Sequence, residues 1–267
     1  MTTSEVIATA SGGLVLLNIG GTQATSVGNP VGGTYVWATL DTGSLGTNKL
    51  VFKYTITASQ TDANGISIYP STGGWLNGSF YDAAGNALNT STAYLAVPDN
   101  AMYMVDTTVA TPVLALAADT GTSTTDRVTN INTINVTGIE SGATWEYSTD
   151  NGVTWSAGAG ASFNVSAASY TANYVQVRQT DLAGNAAVGK YAYAFTVDNS
   201  GPAVNGIAIT SATGVLNSTL NAGDVVTLTV NMSEATTVVT TGGVPRLALN
   251  IGGQIVYADY TSGTGTT

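Results

Sequence analysis

Carboxylates are the side chains of this sequence most able to do chemistry. Twelve aspartates and four glutamates stand against six lysines and arginines, which gives a formal net charge of −10. The 267 residues include no histidine and no cysteine, so this chain has no disulfide, thiolate nucleophile, histidine-ligated zinc or Ser-His-Asp triad. Because aspartate is typical of turns and of hard-cation sites, the composition predicts calcium binding rather than covalent catalysis.

One stretch resembles a catalytic motif. Residues 148–155 (Ser-Thr-Asp-Asn-Gly-Val-Thr-Trp) fit the Asp-box pattern of sialidases. Sialidase chemistry would also need repeated boxes, a tyrosine nucleophile and clustered arginines, whereas the three arginines are scattered along the chain. We therefore predict a hairpin in which Asp150 and Asn151-Gly152 make the turn and Trp155 closes the core. No acid, base and electrophile set is clustered in the sequence, so we expect no enzymatic activity.

Sugar binding is an alternative that the sequence leaves open. Paired carboxylates could hydrolyse glycosidic bonds and tryptophans could stack on sugar rings, but spacing does not place any pair across a cleft. Turn-forming aspartates and core tryptophans are therefore the favoured interpretation. Trp75 is the exception, because it lies in a turn-rich stretch where it could be exposed. A carbohydrate-binding segment that uses Trp75 and the insertion around Asn29-Pro30 is therefore an alternative function.

Strands must position these side chains. Apolar residues alternate with threonine or other polar residues in runs of about six to eight, which predicts half-buried antiparallel strands. The clearest runs place Leu50, Phe52, Tyr54 and Ile56 on one face, then Tyr191, Tyr193, Phe195 and Val197, then Val226, Leu228 and Val230. No amphipathic helix is evident. The sequence predicts an all-β chain.

The two ends of the chain carry the same repeat. Ser4-Glu5, Gly12-Gly13 and Leu17-Asn18-Ile19-Gly20-Gly21 reappear as Ser233-Glu234, Gly242-Gly243 and Leu249-Asn250-Ile251-Gly252-Gly253. Residues 34–38 match 254–258 once a 12-residue insertion between Gly21 and Thr34 is allowed. We predict a partial β-sandwich repeat over 1–105 without its opening strands, a complete module over 106–200, and the start of a second copy over 201–267.

The middle module resembles the bacterial Ig-like repeats of giant type I-secreted, RTX-type surface adhesins. The resemblance rests on Tyr-Ser-Thr-Asp-Asn-Gly-Val-Thr-Trp at 147–155, on 175–185 ending in Asp-Leu-Ala-Gly-Asn, and on Phe-Thr-Val-Asp at 195–198. The outer modules resemble a second repeat of those proteins, through Asp-Ala-Ala-Gly-Asn at 82–86 and Leu-Asn-Ala-Gly-Asp at 220–224. The resemblance implies tandem Ig-like antiparallel β-sandwiches, one complete and two partial, on the extracellular surface of a bacterium.

The same resemblance implies calcium ligands. In related repeats the aspartates of linkers and of Asp-x-Ala-Gly-Asn loops bind Ca²⁺ between modules. The matching residues are Asp106 and Asp198 in the linkers, with Asp82 and Asp181 in the loops; Asp119, Asp126 and Asp224 are possible additions. The alternative is that Asp82 and Asp181 only cap turns.

The expected function is mechanical: an extension or scaffold segment of a cell-surface adhesin, rigidified by calcium at its joints. One alternative is a self-assembling filament or surface-layer subunit in which head-to-tail strand donation completes the partial modules. The expected partners are neighbouring repeats or identical subunits. Nucleic acid is a poor partner for a chain of charge −10, and no stretch approaches the roughly 20 apolar residues of a membrane span.

Overall fold

Alternating apolar and polar residues form strands in each part of the chain that the structure describes. The computed structural model describes residues 2–20, 34–68, 76–89, 97–121 and 123–266. The protein is all-β, with 47% of the described residues in strands and with multiple antiparallel sheets, which confirms the predicted fold class. Among the described residues a 3-10 turn, Thr42–Ser44, is the sole helical element. None of the described residues belongs to a helix long and apolar enough to cross a membrane.

The first part of the chain builds a sheet around one long strand. Its strands are β1 (Thr2–Ile7), β2 (Thr9–Ile19), β3 (Thr34–Leu40), β4 (Thr47–Lys49), β5 (Phe52–Lys53), β6 (Thr61–Asp62), β7 (Ser67–Ile68), β8 (Leu76–Tyr81) and β9 (Val105–Asp106). The order β5-β3-β2-β7 forms the main path, and β8 also pairs with β2. The core beneath it contains Ile7, Val15, Ala38, Leu50, Leu76 and Phe80.

The middle part has its own, larger core. Its strands are β10 (Val113–Leu116), β11 (Val128–Thr129), β12 (Thr133–Thr137), β13 (Thr144–Ser148), β14 (Ser156–Ala157), β15 (Ser162–Asn164), β16 (Ala168–Tyr170), β17 (Gln176–Thr180), β18 (Ala186–Lys190) and β19 (Phe195–Val197). They form sheets ordered β10-β12-β15, β11-β19-β16 and β14-β13-β17-β18. Ile134, Trp145, Val177 and Phe195 lie in the shared core, which gives this part its β-sandwich character.

The run from Tyr191 to Val197 differs from its predicted alternation. Only Phe195–Val197 is a strand, and Tyr193 is exposed instead of sharing the buried face of Tyr191. The chain leaves the β17–β18 sheet after Lys190 and joins the sheet of β11 and β16 at Phe195. The crossing between sheets interrupts the pleat, and the Arg127 guanidinium lies 4.1 Å from the centre of the outward-facing Tyr193 ring.

The chain divides into two compact units, Met1–Val197 and Asp198–Thr267. The second unit contains β20 (Val204–Ala212), β21 (Val226–Met232), β22 (Arg246–Ile251) and β23 (Gln254–Asp259). They form two antiparallel hairpin sheets, β20-β21 and β22-β23. None of the described residues 198–266 is buried.

The two copies of the repeat form the same hairpin. In the first, Leu17 faces Val36 and Ile19 faces Thr34; in the second, Leu249 faces Val256 and Ile251 faces Gln254. The register is identical although 12 extra residues separate Gly21 from Thr34. The insertion therefore lengthens the hairpin connection without shifting the strand pairing. The insertion itself, like Trp75, lies outside the described residues.

Strand pairs cover the core of the first module in the part of the chain that the structure describes. Its core residues Ile7, Val15 and Phe80 are buried, because β1 pairs with β4 and β8 pairs with β2. In the second unit Ile209 and Ile251 are exposed.

Candidate metal centre

Three carboxylates converge where the first part of the chain enters the middle part. Asp106 ends β9, Glu140 lies in the turn between β12 and β13, and Asp181 directly follows β17. One carboxylate oxygen from each lies within 4.8 Å of the other two. Asp106 is exposed and the other two are half-buried. We call this group the acidic triad.

Asp181 is fixed by its own turn. Its Oδ1 accepts hydrogen bonds from the backbone N–H groups of Ala183 (2.9 Å) and Asn185 (2.8 Å), and its Oδ2 accepts one from Asn185 Nδ2 (2.7 Å). These bonds, led by that of the Asn185 side chain, lower the pKa of Asp181. The carboxylate is therefore ionised at neutral pH and held in one orientation.

Glu140 is positioned through a buried amide. Gln179 is 0% exposed, and its Oε1 accepts the backbone N–H of Glu140 at 2.9 Å. Gln179 Nε2 donates to the carbonyls of Ala110 (2.6 Å) and Gly138 (2.8 Å). The Ala110 N–H in turn donates to Glu140 Oε1 at 2.6 Å. One side chain thus ties the segment after β9 to the turn that carries Glu140.

Asp106 connects the two parts of the first unit. β9 pairs with β6, and Thr107 Oγ1 donates to the carbonyl of Gln60 at 2.9 Å. On the other side, Asn185 Nδ2 lies 3.2 Å from the carbonyl oxygen of Asp106 and 3.4 Å from that of Thr108. The acidic triad therefore lies at the joint between the first part and the middle part of the chain.

The donor set suits a hard cation. All three side chains offer oxygen, the ligand atom that Ca²⁺ and Mg²⁺ prefer. No lysine or arginine forms an ion pair with the triad in the part of the chain that the structure describes. Three neighbouring carboxylates without a cationic partner repel one another, and such a group could hold a metal ion.

The other two predicted ligands lie elsewhere. Asp82 follows β8 and caps its Ala-Gly-Asn turn in the way that Asp181 does, with Asn86 N 2.7 Å from its Oδ1. Bonds from Asn86, together with a smaller contribution from Glu5, lower the pKa of Asp82. Asp198, at the start of the second unit, accepts the Ser200 N–H at 3.0 Å. Within the described ranges neither belongs to a group of three acidic residues.

The sequence did not single out Glu140. Glu140 is not part of an Asp-x-Ala-Gly-Asn motif, and it lies 34 residues after Asp106 and 41 residues before Asp181. A usable signal was its place between Gly138 and Gly142, both with positive φ, in a tight turn that follows a strand. Such turns present side chains at a sheet end, where ligands from different strands meet.

The Asp-box-like stretch forms the predicted hairpin. Asn151 (φ 60°) and Gly152 (φ 83°) make the turn between β13 and β14. Asp150 Oδ1 accepts hydrogen bonds from Ser148 Oγ (2.7 Å) and Thr154 N (2.9 Å), and bonds led by that of the Thr154 hydroxyl lower the pKa of Asp150 to about 2. Its oxygens are thus engaged in holding the turn.

Trp155 does not close the core. It is only half-buried, donates its indole N–H to the Gly152 carbonyl at 3.1 Å, and lies beneath the Arg178 guanidinium. The buried tryptophan of this module is Trp145, which packs beside Tyr147 and Phe163. The turn directs Trp155 along the surface of the sheet, where the cation–π contact covers one ring face.

Fold and site together define an all-β protein with a candidate carboxylate metal centre. Comparisons with models of known protein families, with curated proteins and with solved structures found nothing that matches this chain.

Proposed function

We propose that this chain is a structural extension segment of a bacterial cell-surface adhesin, with Ca²⁺ stiffening the joint at the acidic triad. The observation that supports the proposal is the place of the triad: Asp106, Glu140 and Asp181 meet where β9 passes into the middle module. The proposal includes an extracellular location and tandem Ig-like modules as neighbours. It includes no catalytic role.

The joint has a reason to need a cation. Asp106 belongs to the last strand of the first module, while Glu140 and Asp181 belong to turns of the middle module. Repulsion among the three carboxylates favours a swung-open joint, and a divalent ion reverses that preference by binding all three. Extracellular calcium modules bind at about 10⁻⁴–10⁻³ M, the range expected for an exposed site of this kind.

The chain supplies a matched pair of variants for the test. Asp181→Asn and Asp82→Asn change the same position of the same Asp-x-Ala-Gly-Asn turn, but only Asp181 lies among three acidic residues in the described structure. Calcium titration calorimetry on the full chain should show a binding event that Asp181→Asn and Glu140→Gln remove and Asp82→Asn preserves. Equal binding by wild type, Asp181→Asn and Glu140→Gln would overturn the assignment of the triad.

Calcium should also stabilise the fold. A ligand that binds only the folded joint adds roughly 2.7 kcal/mol at about 100 times its dissociation constant. Melting curves of the wild type with calcium and with chelator should therefore separate. The two curves of Asp181→Asn should superimpose, whereas those of Asp82→Asn should separate as the wild-type curves do.

A further inference from the structure

Two methionines lie exposed just before β9. Met102 is 85% exposed and Met104 is 62% exposed. Methionine is usually among the residues that a protein buries, because its thioether has no charge and forms only weak hydrogen bonds. Neither of these two side chains is protected by core packing, so both are open to reagents in the solvent.

The exposure of Met102 is a property of the folded chain. The Tyr103 N–H donates to the Asn100 carbonyl at 2.8 Å, which closes a turn with Met102 at its tip. The Met102 N–H donates to Asn100 Oδ1 at 3.1 Å. The Ile66 N–H donates to the Tyr103 carbonyl at 3.1 Å and attaches this turn to the first module. The backbone therefore holds the Met102 side chain in water.

Met104 is held outward by the strand that follows it. Val105 begins β9, pairs with Asp62 of β6 and is 7% exposed. Successive side chains of an extended chain point to opposite sides, so Met104 and Asp106 lie on the side away from Val105. Both are exposed. The pairing of β9 therefore keeps the Met104 side chain in water as long as the module is folded.

Met232 supplies an internal comparison. It is half-buried at the end of β21, where it pairs with Val204. The remaining methionine, Met1, falls outside the described residues. The sequence has no cysteine, so methionine sulfur is the only sulfur of this chain that a peroxide can oxidise.

We propose that Met102 and Met104 form a reversible modification site for oxidants of the peroxide class. The thioether sulfur attacks one oxygen of the peroxide, so that an S–O bond forms and the O–O bond breaks. The sulfur is oxidised to a sulfoxide, and hydrogen peroxide is reduced to water, which carries away both of its protons. Methionine sulfoxide reductases reverse the reaction. Because both side chains already lie in water, the polar sulfoxide disturbs no core contact and the fold is retained.

Hydrogen peroxide treatment of the full 267-residue chain in native buffer tests the site, with peptide mapping by mass spectrometry as the readout. We expect sulfoxide to form at Met102 and Met104 at least about tenfold faster than at Met232. Unfolding the chain in urea should bring the rate at Met232 up to theirs. Equal rates at all three residues in the folded chain, or reaction of Met102 and Met104 only in urea, would overturn the proposal.

Two further measurements separate a native surface site from damage that unfolds the chain. Melting curves before and after oxidation should superimpose, and methionine sulfoxide reductases A and B should restore both residues without urea. The double variant Met102→Leu, Met104→Leu keeps apolar side chains of similar volume and should consume two fewer equivalents of peroxide in the fast phase. An unfolded oxidised chain, repair that requires urea, or unchanged peroxide consumption by the double variant would each contradict the proposal.

Discussion

Gln179 should couple the stability of the middle module to its metal affinity. Its side chain is fully buried and makes three hydrogen bonds, to the Ala110 carbonyl, the Gly138 carbonyl and the Glu140 N–H. Gln179→Leu keeps the approximate shape and leaves three backbone groups without these partners. A buried unsatisfied polar group costs about 1–3 kcal/mol, so we expect a loss of roughly 3 kcal/mol of unfolding free energy.

The same substitution should weaken calcium binding without removing a ligand. Gln179 holds the turn of Glu140 against Ala110, whose N–H donates to Glu140 Oε1. Loss of a side chain that orients a ligand typically costs about 10–100-fold in metal affinity. Urea unfolding in chelator, followed by tryptophan fluorescence to which buried Trp145 contributes, measures the loss of stability. Titration calorimetry measures the loss of calcium affinity.

Gln176 provides the control on the same strand. It is also buried, but its Nε2 donates to Asn151 Oδ1 (2.9 Å) and the Asn173 carbonyl (3.2 Å), at the other end of β17 from the triad. Gln176→Leu should lower stability by about 2 kcal/mol and leave calcium affinity unchanged. The reasoning would be refuted if both glutamine variants changed calcium affinity equally, or if Gln179→Leu changed neither quantity.

Three further predictions concern single residues. The pKa of Asp150 is lowered from 3.8 in the unfolded chain to about 2 in the folded protein. The ionised carboxylate therefore stabilises the fold above pH 3.8, and this stabilisation is lost as the pH falls towards 2. Melting scans of wild type and Asp150→Ala should therefore converge between these two pH values. Asp62, 1% exposed, accepts the N–H groups of Gly20 and Gly65 at 2.8 Å each, so Asp62→Ala should cost about 3 kcal/mol or more in urea unfolding. Ile134→Ala should cost about 2–5 kcal/mol in the same assay, because Ile134 is fully buried.

Each of these has an outcome that would contradict it. A constant difference between wild type and Asp150→Ala from pH 5 to pH 2 would show that the charge of Asp150 does not matter. Asp62→Asn keeps one oxygen acceptor, so it should be milder than Asp62→Ala, and the reverse order would argue against the hydrogen-bond explanation. An Ile134→Ala variant as stable as wild type would mean that the core collapses around the missing atoms.

Some local patterns in the sequence predicted local features correctly, although the run from Leu50 to Ile56 forms a strand only at Phe52–Lys53. Alternation identified the strand Val226–Met232, because its partner strand and its threonines lie within one hairpin. The turn at Asn151-Gly152 followed from residues that tolerate positive φ, and the repeat predicted the shared hairpin register. In each case the forces involved act between near neighbours in the chain.

Features that depend on distant contacts were not predictable in the same way. Tyr193 fits the alternation of its neighbours but lies where the chain passes between sheets, and no local pattern marks that crossing. Asp106 and Asp181 entered the prediction through a family resemblance, and Glu140 did not, since its proximity to them arises only when the strands assemble. The pairing of β8 with β2 likewise joins residues more than 60 apart in the sequence.

Calcium-dependent stiffness of the joint is the central claim, and one distance distribution tests it most directly. Ala84 in the first module and Val153 in the middle module are exposed, so Ala84→Cys with Val153→Cys gives two labelled sites in a chain that otherwise lacks cysteine. Double electron–electron resonance in diluted samples should show a narrow distribution with calcium and a broad one with chelator. Adding Asp181→Asn should leave the distribution broad in both solutions. If the wild-type joint gives the same distribution with and without calcium, the acidic triad does not stiffen it.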